Sequence, residues 1–281
     1  MYREVSRAPT TIMSCPPPPE IIDLIVDDLH DEPATLKSCC VVSKSCVSRA
    51  RKHIFARLKF HTSKSHVELW KKTFPDPLNS PAHHTRYLSI FGIPVITAAD
   101  VGVDGWIRTF HNVVHLHLDC LGDEDRQVLL VHFNGLSPTL RSLSLSTTSI
   151  EVFDLICSFP LLEDLSLVGV LPSSPGTDGW KIPSVSPKLT GSLHLQSIWE
   201  IYTVAHRFCA LPGGLRFTKI TLTLSIERID PVMELISGCS DTLESFSVTC
   251  FFLGGTFPPV SMIGQYLIAA RGYRNVSDSF S

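Results

Sequence analysis

The chain has 281 residues, 44% of them hydrophobic, and a formal net charge of −3, which is enough for about two domains. Such a nearly neutral balance gives no overall signal for binding nucleic acid or an acidic substrate. The nine cysteines contain no C-x-x-C pair, and the N-terminal residues lack the apolar core of a signal peptide. We therefore expect reduced cysteines and a cytoplasmic and/or nuclear protein, with residues 1–14 forming a disordered N-terminal tail.

Three short amphipathic helices are predicted within residues 15–59. The first follows a proline run, since proline fixes φ at a helix entry, and places its apolar stripe opposite an acidic face. The stripe consists of Ile21, Ile25 and Leu29, widened by Ile22 and Leu24. The acidic face consists of Asp23, Asp27 and Asp31 and is expected to face solvent. About forty residues make a poor core, so one apolar face is expected to contact a partner.

The second helix is predicted to begin at Pro33, and Ser43 is a plausible N-cap for the third. The third helix has a predicted apolar stripe of Val47, Ala50, Ile54 and Leu58. Its predicted basic exterior consists of Arg49, Arg51, Lys52 and Arg57. Basic residues dominate residues 37–72, and we interpret them as a solvated helix face. Contact with phosphate is the alternative, although aromatic residues are not interleaved with the bases as they are in nucleic-acid platforms.

These helices resemble the F-box motif, most closely the fungal versions that precede leucine-rich repeats. Pro18, Glu20 and Ile21 match the opening of the motif, and later positions match at Leu36, Cys39, Val42, Arg51, Ile54 and Phe55. Pro17 stands where the family has leucine, and Cys46 stands where it has tryptophan. The resemblance implies docking on a Skp-type adaptor through Pro18, Glu20, Ile21, Leu24, Ile25, Leu36, Val42 and Ile54. The alternative is a three-helix cap that closes a solenoid.

After a predicted linker at residues 60–84, an apolar-x-x-apolar-x-apolar motif recurs through residues 85–270. Its middle apolar residues are separated by 28, 27, 22, 28, 27 and 26 residues, a period typical of leucine-rich repeats. They are Leu88, Leu116, Leu143, Leu165, Leu193, Ile220 and Phe246. One copy, Leu189-x-x-x-Leu193, has an extra residue. Residues 271–281 are predicted to be a C-terminal tail.

Between the motifs the apolar spacing changes to that of helices. Val152, Leu155, Ile156 and Phe159 show this spacing, as do Val232, Leu235, Ile236 and Cys239 and the segment from Ile198 to Cys209. The predicted fold is therefore α/β: a three-helix F-box followed by a leucine-rich-repeat solenoid, with parallel strands on its concave face and helices on its convex face.

The side chains that alternate with the apolar strand residues are predicted to line the concave face. Small hydroxyl residues dominate its middle, and its N-terminal edge is richer in aromatic and imidazole groups. The candidate target-binding residues are Tyr87, Phe91, His115, His117, Asp119 and His194, with the first four favoured because aromatic anchors are common at binding hot spots. The alternative is that a solvated face simply requires polar side chains.

The sequence contains no catalytic or phosphate-binding motif, so we expect neither an enzyme nor a cofactor. His111, His115, His117 and Cys120 are spaced somewhat like zinc ligands, but solvated histidines are the favoured interpretation and no metal is expected. Residues 245–270 are free of charge, yet prolines and glycines interrupt them, so we expect no membrane span.

The F-box resemblance implies a substrate receptor of an SCF-type cullin–RING ubiquitin ligase. Its helices would bind the Skp-type adaptor, its repeats would bind a target protein, and neither nucleic acid nor membrane would be a partner. A second hypothesis is a leucine-rich-repeat scaffold without ligase function. A third is a hydrolase on an unrecognised α/β fold.

Overall fold

The structure, a computed structural model, describes residues 17–61, 64–76, 79–91, 106–121, 133, 136, 138–147, 152–169, 187–196, 201–225, 230–251 and 275–276. The chain divides into two compact units, Met1–Ile54 and Phe55–Ser281. The predicted tail at residues 1–14, the segment 252–270, and Ile198 lie outside the described residues.

The first unit consists of three helices, α1 (Pro19–Asp28), α2 (Pro33–Val42) and α3 (Lys44–Ile54). A proline occupies the first turn of both α1 and α2, where its missing N–H costs no helical hydrogen bond. Only three side chains of this unit are fully buried hydrophobics within its described part, and they come one from each helix: Val26, Leu36 and Ala50. This small core holds the three helices together and leaves much apolar surface outside it.

The third helix ends earlier than its apolar spacing predicts. Leu58 continues the i, i+4 spacing of Ile54, but α3 stops at Ile54, and Arg57 and Leu58 belong to a strand. The prediction of a helical stripe through Leu58, with Arg57 on its exterior, is therefore wrong. The strand alternates polar and apolar residues, and Leu58 pairs with Leu88 of the next strand, which brings it against the core of the second unit.

The second unit is built on one parallel sheet whose strands follow chain order. The strands are β1 (Arg57–His61), β2 (Tyr87–Phe91), β3 (His115–Leu121), β4 (Ser142–Thr147), β5 (Asp164–Val168), β6 (Ser192–Gln196), β7 (Lys219–Ser225), β8 (Ser245–Phe251) and β9 (Asn275–Val276). The described helices between them are α4 (Lys64–Thr73), α5 (Val152–Cys157), α6 (Ile201–Cys209) and α7 (Asp230–Gly238), with shorter 3-10 turns at Pro81–His84 and Trp106–Thr109. This order of parallel strands and helices fits the predicted α/β solenoid.

The predicted linker and C-terminal tail both contain structure. Residues 60–84 include the end of β1, all of α4 and the turn at Pro81–His84, so they belong to the second unit. Near the C-terminus, β9 pairs with β8 through Ser245–Asn275 and Phe246–Val276. Sequence periodicity missed both because β1 is one short strand directly after a helix and β9 has two residues.

The repeated apolar residues lie opposite one another across the sheet, as predicted. Leu88 pairs with Leu116, Leu116 with Leu143, and the same row continues through Leu165, Leu193, Ile220 and Phe246. These side chains are buried together with apolar residues of the helices, including Phe153, Ile156, Val204, Phe208, Val232 and Leu235. The helices therefore cover the apolar face of the sheet, and the intervening strand residues form a polar face.

Side chains just before three of the strands, β3, β4 and β8, tie a repeat to the preceding one. Thr139 Oγ1 donates to the Val113 carbonyl over 2.8 Å, Thr242 Oγ1 donates to the Phe217 carbonyl over 3.1 Å, and Asn112 Nδ2 donates to the His83 carbonyl over 2.7 Å. Each donor lies three residues before its strand. The regular asparagine ladder of leucine-rich repeats is absent from the sequence, and these residues supply comparable links between neighbouring repeats.

In the repeat that has one extra residue, the backbone accommodates that residue before the strand begins. Leu189 has a φ of +43°, a left-handed conformation that is rare for leucine, and its side chain is only 1% exposed. Leu193 nevertheless stays opposite Leu165. The backbone distortion therefore lets both leucines of this motif remain buried while the strand keeps its register.

Aromatic residues of α4 pack against the N-terminal end of the sheet. The Trp70 ring lies 5.2 Å from the Phe60 ring and 5.7 Å from the Phe110 ring, measured between centroids. Phe60 of β1 is buried at 6% exposure. The first strand and its helix thus form part of the hydrophobic core rather than a connection to it.

If β1 belongs to this core, Phe60→Ala should destabilise the second unit by about 3–5 kcal/mol, because it removes a buried aromatic ring. Lys59→Ala, one residue earlier on the polar face, should change stability by less than about 0.5 kcal/mol. Urea unfolding followed by tryptophan fluorescence measures both. Equal, negligible effects would mean that residues 57–61 are a linker.

Candidate functional surfaces

The first unit exposes several large apolar side chains on α1 and at the end of α2. We call Ile21, Leu24, Ile25, Val41 and Val42 the helical surface; their exposed fractions are 46%, 65%, 55%, 89% and 85%. On α1 the spacing i, i+3, i+4 places three of them on one helix face. Pro18 and Glu20, predicted to contact the same partner, are also exposed.

Two of the predicted adaptor-contact residues lie elsewhere. Leu36 is 0% exposed and belongs to the core of the three helices, so it supports this unit and cannot contact a partner without unfolding it. Ile54 is half-buried and packs against the same core. The structure therefore corrects the assignment of Leu36 and leaves Ile54 with a mainly structural role.

The inward side of α1 carries a charged contact with α3. Arg49 Nε donates a 2.6 Å hydrogen bond to Asp27 Oδ1, its Nη2 group pairs with Asp27 Oδ2, and His53 Nε2 lies 2.7 Å from Oδ1. Asp27 is not on a purely solvent-facing acidic side, and Arg49 is not part of a purely exterior basic face, as the sequence had suggested. Ile22, Val26 and Leu29 are the α1 residues that meet the core.

This contact changes the acidity of Asp27. Hydrogen bonds from Arg49, and then from His53, hold the pKa of the Asp27 carboxyl well below its usual range. The carboxylate is therefore charged at neutral pH and joins α1 to α3. As a consequence, Ile21 and Ile25 are held on the outward side of α1, whereas Ile22 packs against the core.

A stack of three side chains crosses the first three strands on the polar face of the sheet. The Tyr87 and His115 rings lie 4.3 Å apart and are nearly parallel, at 2°. The Arg57 guanidinium carbon lies 5.2 Å from the centroid of the Tyr87 ring. These residues are direct strand neighbours, Arg57 opposite Tyr87 and Tyr87 opposite His115, so the sheet itself holds the stack together.

A second set of rings lies farther along the same strands. His61 stacks on Phe91 at 5.1 Å, and Phe91 lies 5.4 Å from the His117 ring. His117 Nδ1 shares a 3.0 Å hydrogen bond with Ser144 Oγ. We call Arg57, His61, Tyr87, Phe91, His115 and His117 the aromatic cluster.

Burial affects the charge of one member of this cluster. Desolvation lowers the pKa of His115, and the charge of Asp164 opposes that shift only in part. At neutral pH His115 is therefore mostly an uncharged ring. In this cluster the permanent positive charge at neutral pH comes from Arg57, with Lys59 beside it on the same strand.

The structure brings together five of the six predicted target-binding residues and separates the sixth. Tyr87, Phe91, His115, His117 and Asp119 lie on β2 and β3, whereas His194 lies three strands farther on, about 14 Å from His117 at the usual strand spacing. His194 Nε2 lies 3.4 Å from Gln196 Oε1 of its own strand.

The middle of the polar face is rich in hydroxyl groups and contains one carboxylate, Asp164, that is hydrogen-bonded to Ser192. Asp164 Oδ1 accepts 2.7 Å hydrogen bonds from both the backbone N–H and the hydroxyl of Ser192. A Cβ atom at Gly191 would collide with that carboxylate. Glycine at this position therefore permits the contact, and Asp164 has a structural role between β5 and β6.

Sequence analysis missed the residues that β1 adds to this surface: Arg57, Lys59 and His61. Their alternation with Leu58 and Phe60 is the signal that could have revealed them, because it places three polar side chains on one face of a strand. The helical spacing from Ile54 to Leu58 concealed it.

The cysteines with a resolved shift in acidity are not activated nucleophiles. Burial raises the pKa of Cys157 to about 12 and the pKa values of Cys209 and Cys239 to about 11. Within the described ranges, no three metal-binding side chains are placed to hold an ion. None of the helices described here is long and apolar enough to cross a membrane.

Comparison of the sequence with protein-family models and with curated proteins found no match. The F-box and leucine-rich-repeat resemblance therefore rests on the residues quoted above.

The depressed pKa of Asp27 predicts a pH-dependent contribution to the stability of the first unit. Because the pKa is lower in the folded state, the stabilisation is fully present above the ordinary aspartate pKa of about 4 and is lost as pH falls through the folded value. Asp27→Asn should therefore reduce hydrogen-exchange protection of residues 19–54 at pH 7, and the difference from wild type should shrink below about pH 4.

Asp28→Asn is the matched control, since Asp28 is an exposed neighbour on the same helix. A loss of protection equal to that of Asp27→Asn, or a difference that does not depend on pH, would contradict the assigned role of the Asp27 contact.

Proposed function

We propose that this protein is a substrate-recognition subunit of an SCF-type cullin–RING ubiquitin ligase. Its first unit acts as an F-box-like module that docks on the Skp-type adaptor, and its leucine-rich-repeat-like second unit holds a target protein. It works in the cytoplasm and/or nucleus without a cofactor, and the other subunits of the ligase transfer ubiquitin.

The observation that carries this proposal is the orientation of α1. This helix turns Asp27 toward α3 and leaves Ile21, Leu24 and Ile25 about half exposed or more. Water is an unfavourable environment for such side chains, and clustered apolar exposure marks interaction sites in soluble proteins. The family resemblance assigns the same residues to the adaptor contact.

The magnitudes indicate how extensive that contact must be. Burying one Ile, Leu or Val contributes about 1.5–3 kcal/mol, whereas association costs about 4–15 kcal/mol in lost motion. Since the side chains of the helical surface are already partly covered in the free protein, their burial alone leaves little surplus. A stable complex therefore needs additional contacts around them, for which exposed Pro18 and Glu20 are placed at the start of α1.

In this proposal the protein contributes proximity rather than chemistry. Linking a target to the ligase makes ubiquitin transfer effectively intramolecular and raises the local concentration of the target lysines. This role agrees with the raised thiol pKa values of Cys157, Cys209 and Cys239, which are unsuited to nucleophilic attack.

A second candidate is a leucine-rich-repeat scaffold without ligase function, whose helices cap the repeats. Cys46 favours it, because this residue packs half-buried against the small helical core where the F-box family has a large aromatic residue. Pro17 is a second departure from the family, which has leucine at this position. In this case the helical surface would have no adaptor to bind.

The adaptor proposal predicts that replacing both Ile21 and Ile25 with Asp abolishes binding to the Skp-type adaptor, because it puts charge into the apolar contact. The second unit should keep its thermal unfolding transition. Calorimetry with purified proteins measures the binding. Replacing both residues with Leu preserves the apolar character and should leave affinity within about threefold, less than 1 kcal/mol. Unchanged binding of a folded Asp double variant would show that this surface is not the contact.

A further inference from the structure

One end of the polar face combines positive charge with flat aromatic surface. The outward side chains of β1, β2 and β3 are Arg57, Lys59, His61, Tyr87, Ser89, Phe91, His115, His117 and Asp119. Two of them are permanent cations, three are imidazoles, and one is a carboxylate. The middle of the same face, by contrast, presents mainly hydroxyl groups. Charge complementarity therefore favours an acidic partner at this end.

The rings of this surface are held in place before any partner arrives. Tyr87 lies between Arg57 and His115, and Phe91 lies between His61 and His117, with each ring fixed by neighbouring strands. Tyr87 is nevertheless 42% exposed. Side chains that are already ordered lose little entropy on binding, which makes them suitable anchors.

We propose that the aromatic cluster and Lys59 bind an extended acidic segment of the target protein, with Asp or Glu carboxylates near Arg57 and Lys59 and an aromatic or aliphatic side chain against Tyr87 or Phe91. This inference rests on the proposed role of the second unit in holding a target, and it specifies the chemistry of that target.

The spacing of the cations suits an extended chain. Arg57 and Lys59 are two residues apart on one strand, so their backbone positions are about 6.7 Å apart on the same face. Alternate residues of an extended peptide have the same spacing. Two carboxylates at positions i and i+2 can therefore meet both cations at once.

Neutral pH does not remove this positive charge. The pKa of His115 is lowered by burial, so that ring contributes apolar stacking surface rather than charge. Arg57 and Lys59 supply the positive charge of this surface. The acidic segment is thus expected to bind at physiological pH, more weakly as salt screens the charges.

The test measures fluorescence anisotropy of a labelled peptide, Gly-Ser-Glu-Ser-Glu-Ser-Phe-Ser-Gly, in which alternate positions place both Glu residues and Phe on one face of an extended chain, titrated with the full chain. Matched peptides replace each Glu with Lys or replace Phe with Ala, and a single-stranded oligothymidine serves as a third kind of probe. We expect saturable binding of the acidic peptide and weaker binding when Phe is replaced. The lysine peptide should not bind.

The variants locate the site. Arg57→Ala, Lys59→Glu and Tyr87→Ala should each weaken binding about tenfold, while Tyr87→Phe, which keeps the ring, should change it little. Lys219→Ala is the matched control, because Lys219 occupies the same row of the same face on β7, about 29 Å away at ordinary strand spacing. It should leave affinity within about twofold.

Absence of acidic-peptide binding, equal binding of the lysine peptide, or an equal loss in Lys219→Ala would overturn the inference. Displacement of the peptide by oligothymidine at lower concentration would overturn it in favour of a nucleic-acid surface. The double variant Ile21→Asp, Ile25→Asp separates the two proposals, since it should lose adaptor binding and keep peptide binding. If the acidic peptide does not bind while the adaptor still does, only the proposed chemistry of the target is rejected.

Discussion

The structure of the second unit depends on the alignment of one apolar residue from each repeat. Parallel strands bond to neighbours on both sides, so a slip of one residue would turn the apolar side chains of a strand to the polar face. The row from Leu88 to Phe246 stays aligned from β2 to β8, and the register between β3 and β4 shifts only beyond this row, between Asp119 and Leu121. The left-handed backbone at Leu189 keeps this alignment where the repeat is one residue longer.

The same alignment determines what the polar face can do. Residues far apart in sequence become neighbours at the spacing of a strand pair, which is how Arg57, Tyr87 and His115 form one stack. The proposed target-binding surface is thus a direct consequence of core packing, because the leucines set the position of each strand and thereby the neighbours of the side chains between them. Hydrogen bonds from Thr139 and Thr242, just before β4 and β8, to the preceding repeat stabilise the same alignment of the strands.

The first unit is stabilised differently. Its buried core is small, and a charged contact from Asp27 to Arg49 and His53 joins two of its three helices. Such a contact fixes the rotation of α1 about its axis and leaves Ile21 and Ile25 exposed. The result is a folded module with apolar side chains still available, which is what a docking element needs and what a solenoid cap does not.

Sequence reasoning predicted the repeats well because burial on one face of a strand leaves a period-two pattern, and helices between strands leave a longer one. It could not place Asp27, since periodicity identifies two faces of a helix but not which of them meets a neighbour. It assigned Leu58 to a helix because spacing from Ile54 satisfies a helix, whereas its pairing with Leu88 depends on contacts thirty residues away. The stacking of Tyr87 on His115 is invisible for the same reason.

The most direct test of the account is calorimetry of the purified wild-type chain with the Skp-type adaptor of its own organism, after co-purification. We expect a one-to-one complex that persists through size-exclusion chromatography. A folded protein that shows no binding heat and elutes separately from the adaptor would contradict it, and the three helices would then be a cap on a repeat scaffold.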